Sequence, residues 1–376
     1  MLSRLKFEIN EIITPMLSKI PDNVWESKTT TFCDLQMAGG QFIKQVVEKL
    51  RTFGHSDKNI KKRVFGYSEN SMYLSYINGL DLIGTFDIYS KENTENMKFD
   101  VIIGNPPYHE LKNGNKKSKA IWPYFVKKSV DVCKDDGYIS LIHPGGWRNV
   151  SGTFKNIQHI LRGYQMQYLN INNYRKGFET FGAYTDYDWY CLRKTKNDNF
   201  LTQIVDIDEA IVNIDISEMS FIPKCNIEEV LSLVANDGEE RVNILYDCSY
   251  HTQNENLMLN KPTADFKYPC IMNVNTSDEI GCTWYSNTNK KGHFGIPKVI
   301  FGRKNCGVFI DNVGELGMTQ DCTGILDDTD KLPHIYKALK DERFIKNIMG
   351  FRESFGDKYN RKVIALFRKD FWKEFI

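Results

Sequence analysis

The first half of the chain alternates between short apolar runs and stretches with helical spacing of apolar residues. The apolar runs predict strands at Thr31–Leu35, Arg63–Tyr67, Leu82–Ile88, Phe99–Gly104, Tyr138–His143 and Tyr187–Leu192. The helical spacing predicts helices at residues 1–20, Gln41–Leu50 and Ile121–Cys133. Because strands that alternate with helices form parallel sheets, we predict an α/β fold with a doubly wound, Rossmann-like sheet.

The pattern changes after about residue 195. The polar segment Lys194–Asn199 follows the last of these strands. Beyond it, Pro297–Phe301 and Gly307–Ile310 favour strands, and a helical tail follows. We therefore predict two domains, residues 1–195 and residues 196–376, of which the second is a mixed α/β region.

Composition indicates a large core and a local, rather than general, positive charge. The chain has 376 residues, 41% of them hydrophobic, and a net charge of +1. Residues 198–240 hold eleven acids and one base, whereas residues 331–376 hold twelve Lys and Arg against six acids. Such a local positive field is expected of a binding groove, not of a wholly basic protein.

Cysteine and histidine spacing gives no sign of a metal site. None of the nine cysteines is in CxxC spacing, and the seven histidines show no metal-binding motif. No apolar run reaches transmembrane length, and no signal peptide is evident. We expect free thiols, structural histidines, no metal, no membrane association and a cytoplasmic location.

The strand Phe99–Gly104 ends at Asn105-Pro106-Pro107-Tyr108. The prolines fix φ and lack N–H groups, which leaves carbonyl oxygens as acceptors beside the Asn105 amide oxygen. Open α/β sheets bind ligands at the carboxyl ends of their strands. This group of acceptors suits an amine with two N–H donors, such as N6 of adenine. An ordinary Asn-Pro turn is the alternative.

Three other strand ends carry residues suited to a cofactor. Gly39 and Gly40 lie in a turn before a helix, where a ligand can approach the backbone and free N–H groups. Glu69 follows the next strand and can accept hydrogen bonds from ribose hydroxyls. Asp87, near the end of the third strand, can receive an adenine amino group. The alternative for each acid is a solvated surface residue.

Taken in order, these motifs resemble those of amino-methyltransferases that use S-adenosylmethionine. More narrowly, they resemble the gamma-class, TaqI-like N6-adenine DNA methyltransferases of restriction–modification systems and phages. The resemblance covers about residues 10–195 and rests on Thr14-Pro15, Asp34–Phe42, Glu69, Asp87, Asn105–Tyr108, Asp136–Pro144 and Phe181-Gly182. The chain departs from the family at Leu35 and Ala38, where Pro and Gly are usual.

The resemblance implies a function and a set of site residues. It implies methyl transfer from S-adenosylmethionine to a flipped adenine in double-stranded DNA. In this reaction Asn105 and Pro106 would accept hydrogen bonds from the two N–H groups of the adenine amine, and Pro107 completes the motif. Tyr108 and Phe181 would stack on the two faces of the base. It allows a cognate restriction endonuclease as a partner, and it gives residues 196–376 the role of target recognition. The cofactor-binding residues that it implies are Thr14, Pro15, Asp34, Ala38, Gly39, Gly40, Phe42, Glu69, Asp87 and Asn105.

Basic residues that could contact DNA form two clusters. One follows the Asn105 motif in a polar loop, for which a solvated loop is the alternative, and it contains Lys112, Lys116 and Lys117. The other lies in the predicted recognition region and contains Lys290, Lys291, Lys298, Arg303 and Lys304. Arg303 is the candidate for a guanine contact.

Three other functions share part of this pattern. One is adenine methylation of RNA. Another is methylation of glutamine in release factors, by enzymes that also carry Asn-Pro-Pro-Tyr but place a helical domain before the cofactor motif and little after the catalytic domain. Here about thirty residues precede Asp34 and about 180 follow residue 195. The third is a non-catalytic DNA-binding protein, which the intact motif disfavours.

Overall fold

The computed structural model describes residues 11–37, 39–67, 83–110, 119–150, 152–302, 307–351 and 359–376. The chain divides into two units, one ending at Phe221 and the other beginning at Ile222. Glu69, Ala38, Lys112, Lys116, Lys117, Arg303 and Lys304 lie outside the described residues.

The first unit is built on one nine-stranded sheet, with strand order β3-β2-β1-β4-β5-β7-β6-β8-β9. Neighbouring strands are parallel except at β7 and β9, which run antiparallel to their neighbours. The strands are β1 Phe32–Asp34, β2 Val64–Gly66, β3 Gly84–Thr85, β4 Phe99–Gly104, β5 Cys133–Pro144, β6 Tyr164–Asn172, β7 Tyr187–Lys196, β8 Leu201–Val205 and β9 Ile211–Asp215.

Helices cover this sheet with apolar faces. Five residues of the helix Gln41–Thr52 are buried, from Phe42 to Leu50, at the spacing expected for one helical face. Residues 11–18 are also helical. The other helices of the unit, including two short 3-10 helices, are Asp22–Glu26, Asp57–Ile60, Lys91–Asn96, Trp122–Val132, Gly145–Arg148, Gly152–Phe154, Lys155–Arg162 and Tyr174–Phe181.

The predicted α/β fold with a doubly wound sheet is confirmed. Of the described part of the predicted third strand, residues 83–88, only Gly84–Thr85 pairs with β2. The first unit also continues beyond residue 195, because β8 and β9 extend its sheet. The division into units therefore falls at Phe221, later than the position predicted from the polar segment.

The second unit contains two four-stranded sheets and several helices, in agreement with the predicted mixed α/β region. The sheet orders are β10-β17-β14-β15 and β11-β13-β12-β16. The strands are β10 Asn243–Leu245, β11 Met258–Leu259, β12 Tyr268–Val274, β13 Ile280–Ser286, β14 Lys298–Gly302, β15 Val308–Asp311, β16 Gly317–Met318 and β17 Cys322–Leu326. The helices are Ile227–Ser232, Leu332–Lys340, Glu342–Phe351, Arg361–Ile364 and the 3-10 helix Phe371–Phe375.

Candidate active site

The strand order of the first sheet reverses between β1 and β4, and the ends of these two strands form the centre of the candidate site. Asp34 ends β1, Gly104 ends β4, and the two strands are direct neighbours. A Cβ atom on Gly104 would lie 2.6 Å from Oδ1 of Asp34, so glycine allows the Asp34 carboxyl group to lie against the end of β4. Ligands of open α/β sheets bind in the crevice at such a reversal.

The Asp34 carboxyl group is buried, and its Oδ1 atom accepts a hydrogen bond from the Gln36 backbone N–H at 3.0 Å. Burial raises the pKa of Asp34 to about 7, and the Gln36 N–H partly opposes this rise. A cation placed beside such a group favours its ionised form. The end of β1 is therefore suited to a positively charged ligand group.

We expect Asp34 to make the stability of the first unit depend on pH. Its pKa is about 7 in the folded protein against an ordinary 3.8, so the folded state binds a proton that the unfolded chain releases. The free energy of unfolding should therefore fall as pH rises through this window, by at most about 4 kcal/mol. Urea unfolding over a pH series should show this fall in the wild type and lose it in Asp34→Asn. Equal slopes in the two proteins would contradict the prediction.

The turn between β1 and the following helix brings free backbone donors to the same place. Gly40 has φ 75° in the left-handed region, and no described side chain caps the helix that it precedes. Met37 N–H donates to the Tyr67 carbonyl at 2.8 Å, and Tyr67 N–H donates to the Asp34 carbonyl at 3.1 Å. These bonds tie the turn to the end of β2 and leave a helix N-terminus suited to a negatively charged group.

The remaining residues predicted to bind the cofactor lie in varied surroundings. Gly39 is exposed in the turn, whereas the Phe42 side chain packs in the core, so only its backbone could face a ligand. Thr14 and Pro15 lie on the exposed side of the helical residues 11–18, whose other face is buried. Cofactor contacts of these four residues stay predictions.

Asp87 follows β3 and lies next to a group of tyrosines. Its Oδ1 atom accepts a hydrogen bond from Tyr89 N–H at 2.8 Å. The Tyr89 ring lies 5.8 Å from that of Tyr67, edge to face, and 6.4 Å from that of Tyr124, with planes 7° apart. Exposed rings beside an acid offer a flat apolar surface next to an acceptor, which suits a purine. Sequence reasoning missed these tyrosines; Tyr89, two residues after Asp87, was the available signal.

The segment Asn105–Tyr108 leaves β4 without regular structure. Asn105 Oδ1 and the Tyr108 hydroxyl are buried, and neither has a hydrogen-bond partner within the part of the chain that the structure describes. Ile121 N–H donates to the Tyr108 carbonyl at 3.0 Å, which fixes the segment to the start of the next helix. A buried polar atom without a partner carries a desolvation penalty, so an incoming donor would gain most at this position.

Phe181 lies beside Tyr108, although the two residues are 73 positions apart in the printed sequence. Their ring centroids are 6.4 Å apart at an interplanar angle of 80°, and Phe181 also packs against Tyr187 at 4.9 Å. The predicted neighbourhood of the two rings is therefore present. Their stacking on the two faces of a base stays a prediction, since parallel stacking on both rings needs one of them to turn.

A buried ion pair supports this part of the site, and sequence reasoning missed it. Arg148 Nε lies 2.7 Å from Asp188 Oδ2, with side chains 2% and 0% exposed. Trp147 Nε1 donates to the same oxygen at 2.9 Å. Burial raises the pKa of Tyr108, and the nearby Tyr187 and Asp188 add to the rise. The ion pair and the Trp147 hydrogen bond together fix the turn after β5 to the start of β7, which lies next to Tyr108.

The basic cluster predicted in the second unit is only partly available to a ligand. Lys290 and Lys291 are exposed. The prediction that Lys298 contacts DNA is wrong, because its ammonium group is fully buried and lies 2.8 Å from Asp311 Oδ2. It also donates to the carbonyl oxygens of His293, Ile296 and Leu316 at 2.7–3.1 Å.

Within the described ranges, no cluster of potential metal ligands is found. No helix in those ranges is both long and apolar enough to cross a membrane. The eight described cysteines are free, and only Cys248 and Cys282 among them are exposed.

Comparison with known proteins identifies a matching family and two similar proteins. Residues 21–181 match the family described as Eco57I restriction-modification methylase, and this segment contains Asp34, Asn105–Tyr108 and Phe181. An uncharacterized adenine-specific methylase of Mycoplasma pneumoniae is 33% identical over a match of 123 residues, with coverage of 29% of this chain and 28% of that protein. The type II restriction enzyme and methyltransferase RM.Eco57I of Escherichia coli is 26% identical over 225 residues, 52% of this chain and 21% of that protein. The matched parts thus cover less than a third of the length of either relative.

Two solved structures resemble nearly the whole chain. The type IIL restriction-modification enzyme MmeI in complex with DNA has a TM-score of 0.50 at 8% identity, over 97% of this chain and 65% of that one. A nuclease-deletion mutant of the type ISP restriction-modification enzyme LlaGI has a TM-score of 0.50 at 12% identity, over 90% of this chain and 51% of that one. At these identities the likeness concerns the fold alone. The resemblance to adenine-specific methylases of restriction–modification systems is confirmed by the family and the relatives, and the gamma-class subtype stays a prediction.

Proposed function

We propose that this chain, whose residues 21–181 match the Eco57I restriction-modification methylase family, transfers a methyl group from S-adenosylmethionine to N6 of adenine in double-stranded DNA. The observation that carries the proposal is the buried Oδ1 atom of Asn105, which has no hydrogen-bond partner among the described residues and lies at the carboxyl end of β4, where the strand order reverses. Methyl transfer to an amine needs an oxygen atom at this end of the strand that accepts a hydrogen bond from the amine N–H group.

The residues at the ends of β1 and β3 fit S-adenosylmethionine. The buried Asp34 carboxyl group suits its positively charged groups, and the helix start after Gly40, which no described side chain caps, suits its carboxylate. Asp87, with Tyr89 and Tyr124, suits its adenine ring. When bound, this cofactor supplies an electrophilic methyl group on a sulfonium sulfur.

The Asn105 motif would raise the reactivity of a weak nucleophile. The lone pair of adenine N6 is delocalised into the ring, so the amine must be turned before it can attack. Asn105 Oδ1 and the Pro106 carbonyl oxygen accept hydrogen bonds from its two N–H groups. These hydrogen bonds orient the amine so that its lone pair points at the methyl group. The gain lies in orientation and in acceptors placed where positive charge develops on nitrogen.

Tyr108 and Phe181 would hold the base in this orientation. Their rings lie 6.4 Å apart beside the motif, and aromatic faces bind any planar base by stacking. The target amine of a paired adenine is not accessible inside a duplex, so the adenine must leave the helix to reach Asn105.

Labelled S-adenosylmethionine tests the proposed function directly. The full chain is incubated with plasmid DNA that lacks adenine methylation, with total RNA, and with a release factor. We expect label in DNA alone, as N6-methyladenine in one sequence context. Label only in RNA or in release-factor glutamine would contradict the proposal and select one of the two alternatives.

We further propose that the second unit supplies DNA contacts, since one flipped adenine carries no information about its neighbours. The exposed Lys290 and Lys291 are suited to phosphates, and the guanine contact of Arg303 stays a prediction outside the described residues. Replacing both lysines by alanine should weaken binding to all duplexes and reduce the slope of log affinity against log salt by about 2. The matched control replaces the exposed Lys261 and Lys267. Fluorescence anisotropy over a salt series that shows the same slope for both double variants would contradict the assignment.

A further inference from the structure

An exposed pair of stacked aromatic rings lies close to the candidate site and is not used by the mechanism above. The Phe178 and Tyr184 side chains are 46% and 71% exposed. Their ring centroids are 4.4 Å apart and their planes differ by 15°, so the rings stack face to face. Tyr174 supports the pair, with its ring 6.2 Å from that of Tyr184. Large apolar side chains that remain this exposed are candidates for a contact surface.

The sheet topology places this pair at the same edge as Asn105. Phe178 lies on the helix Tyr174–Phe181, which connects the carboxyl end of β6 with the start of β7. The start of β7 pairs with both Pro144, at the carboxyl end of β5, and Asn172, at the end of β6. Since β4 and β5 are parallel, all of these ends lie at the edge where the Asn105 motif begins.

The pair is also linked to the base pocket through its own helix. Phe181 follows Phe178 by three residues on this helix and contacts Tyr108. Aromatic side chains therefore extend from the solvent-exposed Tyr184 to the ring proposed to bind the flipped adenine. The basic Arg175 is the second residue of the same helix, and Lys176 beside it pairs with Glu179 at 3.4 Å.

We propose that the Phe178–Tyr184 pair stacks on the base that loses its partner when the target adenine flips out of the duplex. This inference rests on the proposed function. Flipping leaves the opposite base without its hydrogen-bonding partner, so this base can leave the duplex more easily, and a flat aromatic ring gives it a surface on which to stack. Two stacked rings beside the Asn105 motif present an apolar surface large enough for one base, whereas a protein partner needs a broad apolar patch. Arg175 adds positive charge for the adjacent phosphates.

The test compares two short duplexes. Both carry the sequence context in which the full chain methylates adenine, as determined by sequencing the methylated plasmid DNA. One is intact, and the other has an abasic site opposite the target adenine, so that it offers no unpaired base to stack on. Tyr184→Ala should raise KM on the intact duplex about tenfold to a hundredfold, the scale of losing one base–aromatic stack, and should leave KM on the abasic duplex equal to that of wild type. Tyr184→Phe, which keeps the ring, should behave as wild type on both duplexes. Phe178→Ala should follow Tyr184→Ala in direction.

The matched control is Leu201→Ala, which removes an exposed apolar side chain at the start of β8, on the opposite edge of the sheet. Calorimetric binding of S-adenosylmethionine monitors folding of each variant. An unchanged KM of Tyr184→Ala on the intact duplex, or an equal rise on both duplexes, would overturn the inference. A wild-type protein that methylates no adenine in DNA would instead overturn the proposed function, and this result is visible before any variant is compared.

Discussion

Asn105→Ala is expected to reduce the rate of methyl transfer by a factor of about 10²–10³ or more, the range for removing one precisely oriented group that stabilises a transition state. The wild-type Oδ1 atom is buried and lacks a partner among the described residues, so its lone pairs are available to the incoming amine. Alanine leaves no acceptor there, and N6 keeps its delocalised lone pair. Binding of S-adenosylmethionine should remain nearly intact, because Asn105 is only one of ten residues predicted to contact the cofactor and its Oδ1 atom is proposed to act on the base.

Two measurements separate this expectation from a general loss of structure. Single-turnover assays give the rate of the chemical step, and calorimetry gives cofactor affinity for the same preparation. Asn105→Asp, which keeps an acceptor oxygen, should retain more activity than Asn105→Ala. Turnover by Asn105→Ala close to that of wild type would contradict the proposed role of the motif.

Lys298→Ala is expected to destabilise the second unit by about 3–5 kcal/mol, the scale for leaving one member of a buried ion pair alone. The Lys298 ammonium group binds Asp311 Oδ2 at 2.8 Å and three carbonyl oxygens, and burial lowers its pKa against the opposing effect of Asp311. Asp311 in turn accepts the backbone N–H groups of Gly314, Glu315 and Leu316. Removing the cation leaves a buried carboxylate in this network.

Urea unfolding and hydrogen exchange of the amides at 314–316 measure this effect. Both should change strongly in Lys298→Ala and remain unchanged in Lys290→Ala, which removes an exposed ammonium group close by in the sequence. Lys298→Ala combined with Asp311→Asn should recover part of the loss, because the uncompensated charge is then removed. Equal stability of the two single variants would show that the pair contributes nothing.

The sequence predicts the centre of the site better than its surroundings. Asp34 and Asn105 stand directly after apolar runs, and the carboxyl ends of parallel strands meet at one edge, so their proximity follows from local patterns. The pairing of Arg148 with Asp188 depends on β5 and β7 running antiparallel as neighbours, which no local pattern specifies.

The case of Lys298 shows why charge alone does not identify a ligand contact. The residue stands near other lysines in the sequence, which favoured a DNA contact. It also begins the apolar run Lys298–Gly302, every residue of which is buried. The apolar run was the stronger signal, because a central strand buried on both faces leaves no route to solvent for a side chain within it. Strands β8 and β9 were missed for the opposite reason, since Thr202 and Gln203 interrupt the apolar residues of β8 and Asn213 interrupts those of β9.

The close approach of Gly104 to Asp34 limits how the candidate site can be redesigned. Position 104 has no room for a single methyl group unless Asp34 moves, so any bulkier residue there would disturb the cofactor side of the crevice while altering the strand that carries the acceptor motif. A programme that seeks to retarget the chemistry to another amine must therefore vary the loop from Asn105 onward and keep the glycine before it. A substitution of Gly104 therefore affects both the end of β1, which carries Asp34, and the end of β4, which carries Asn105.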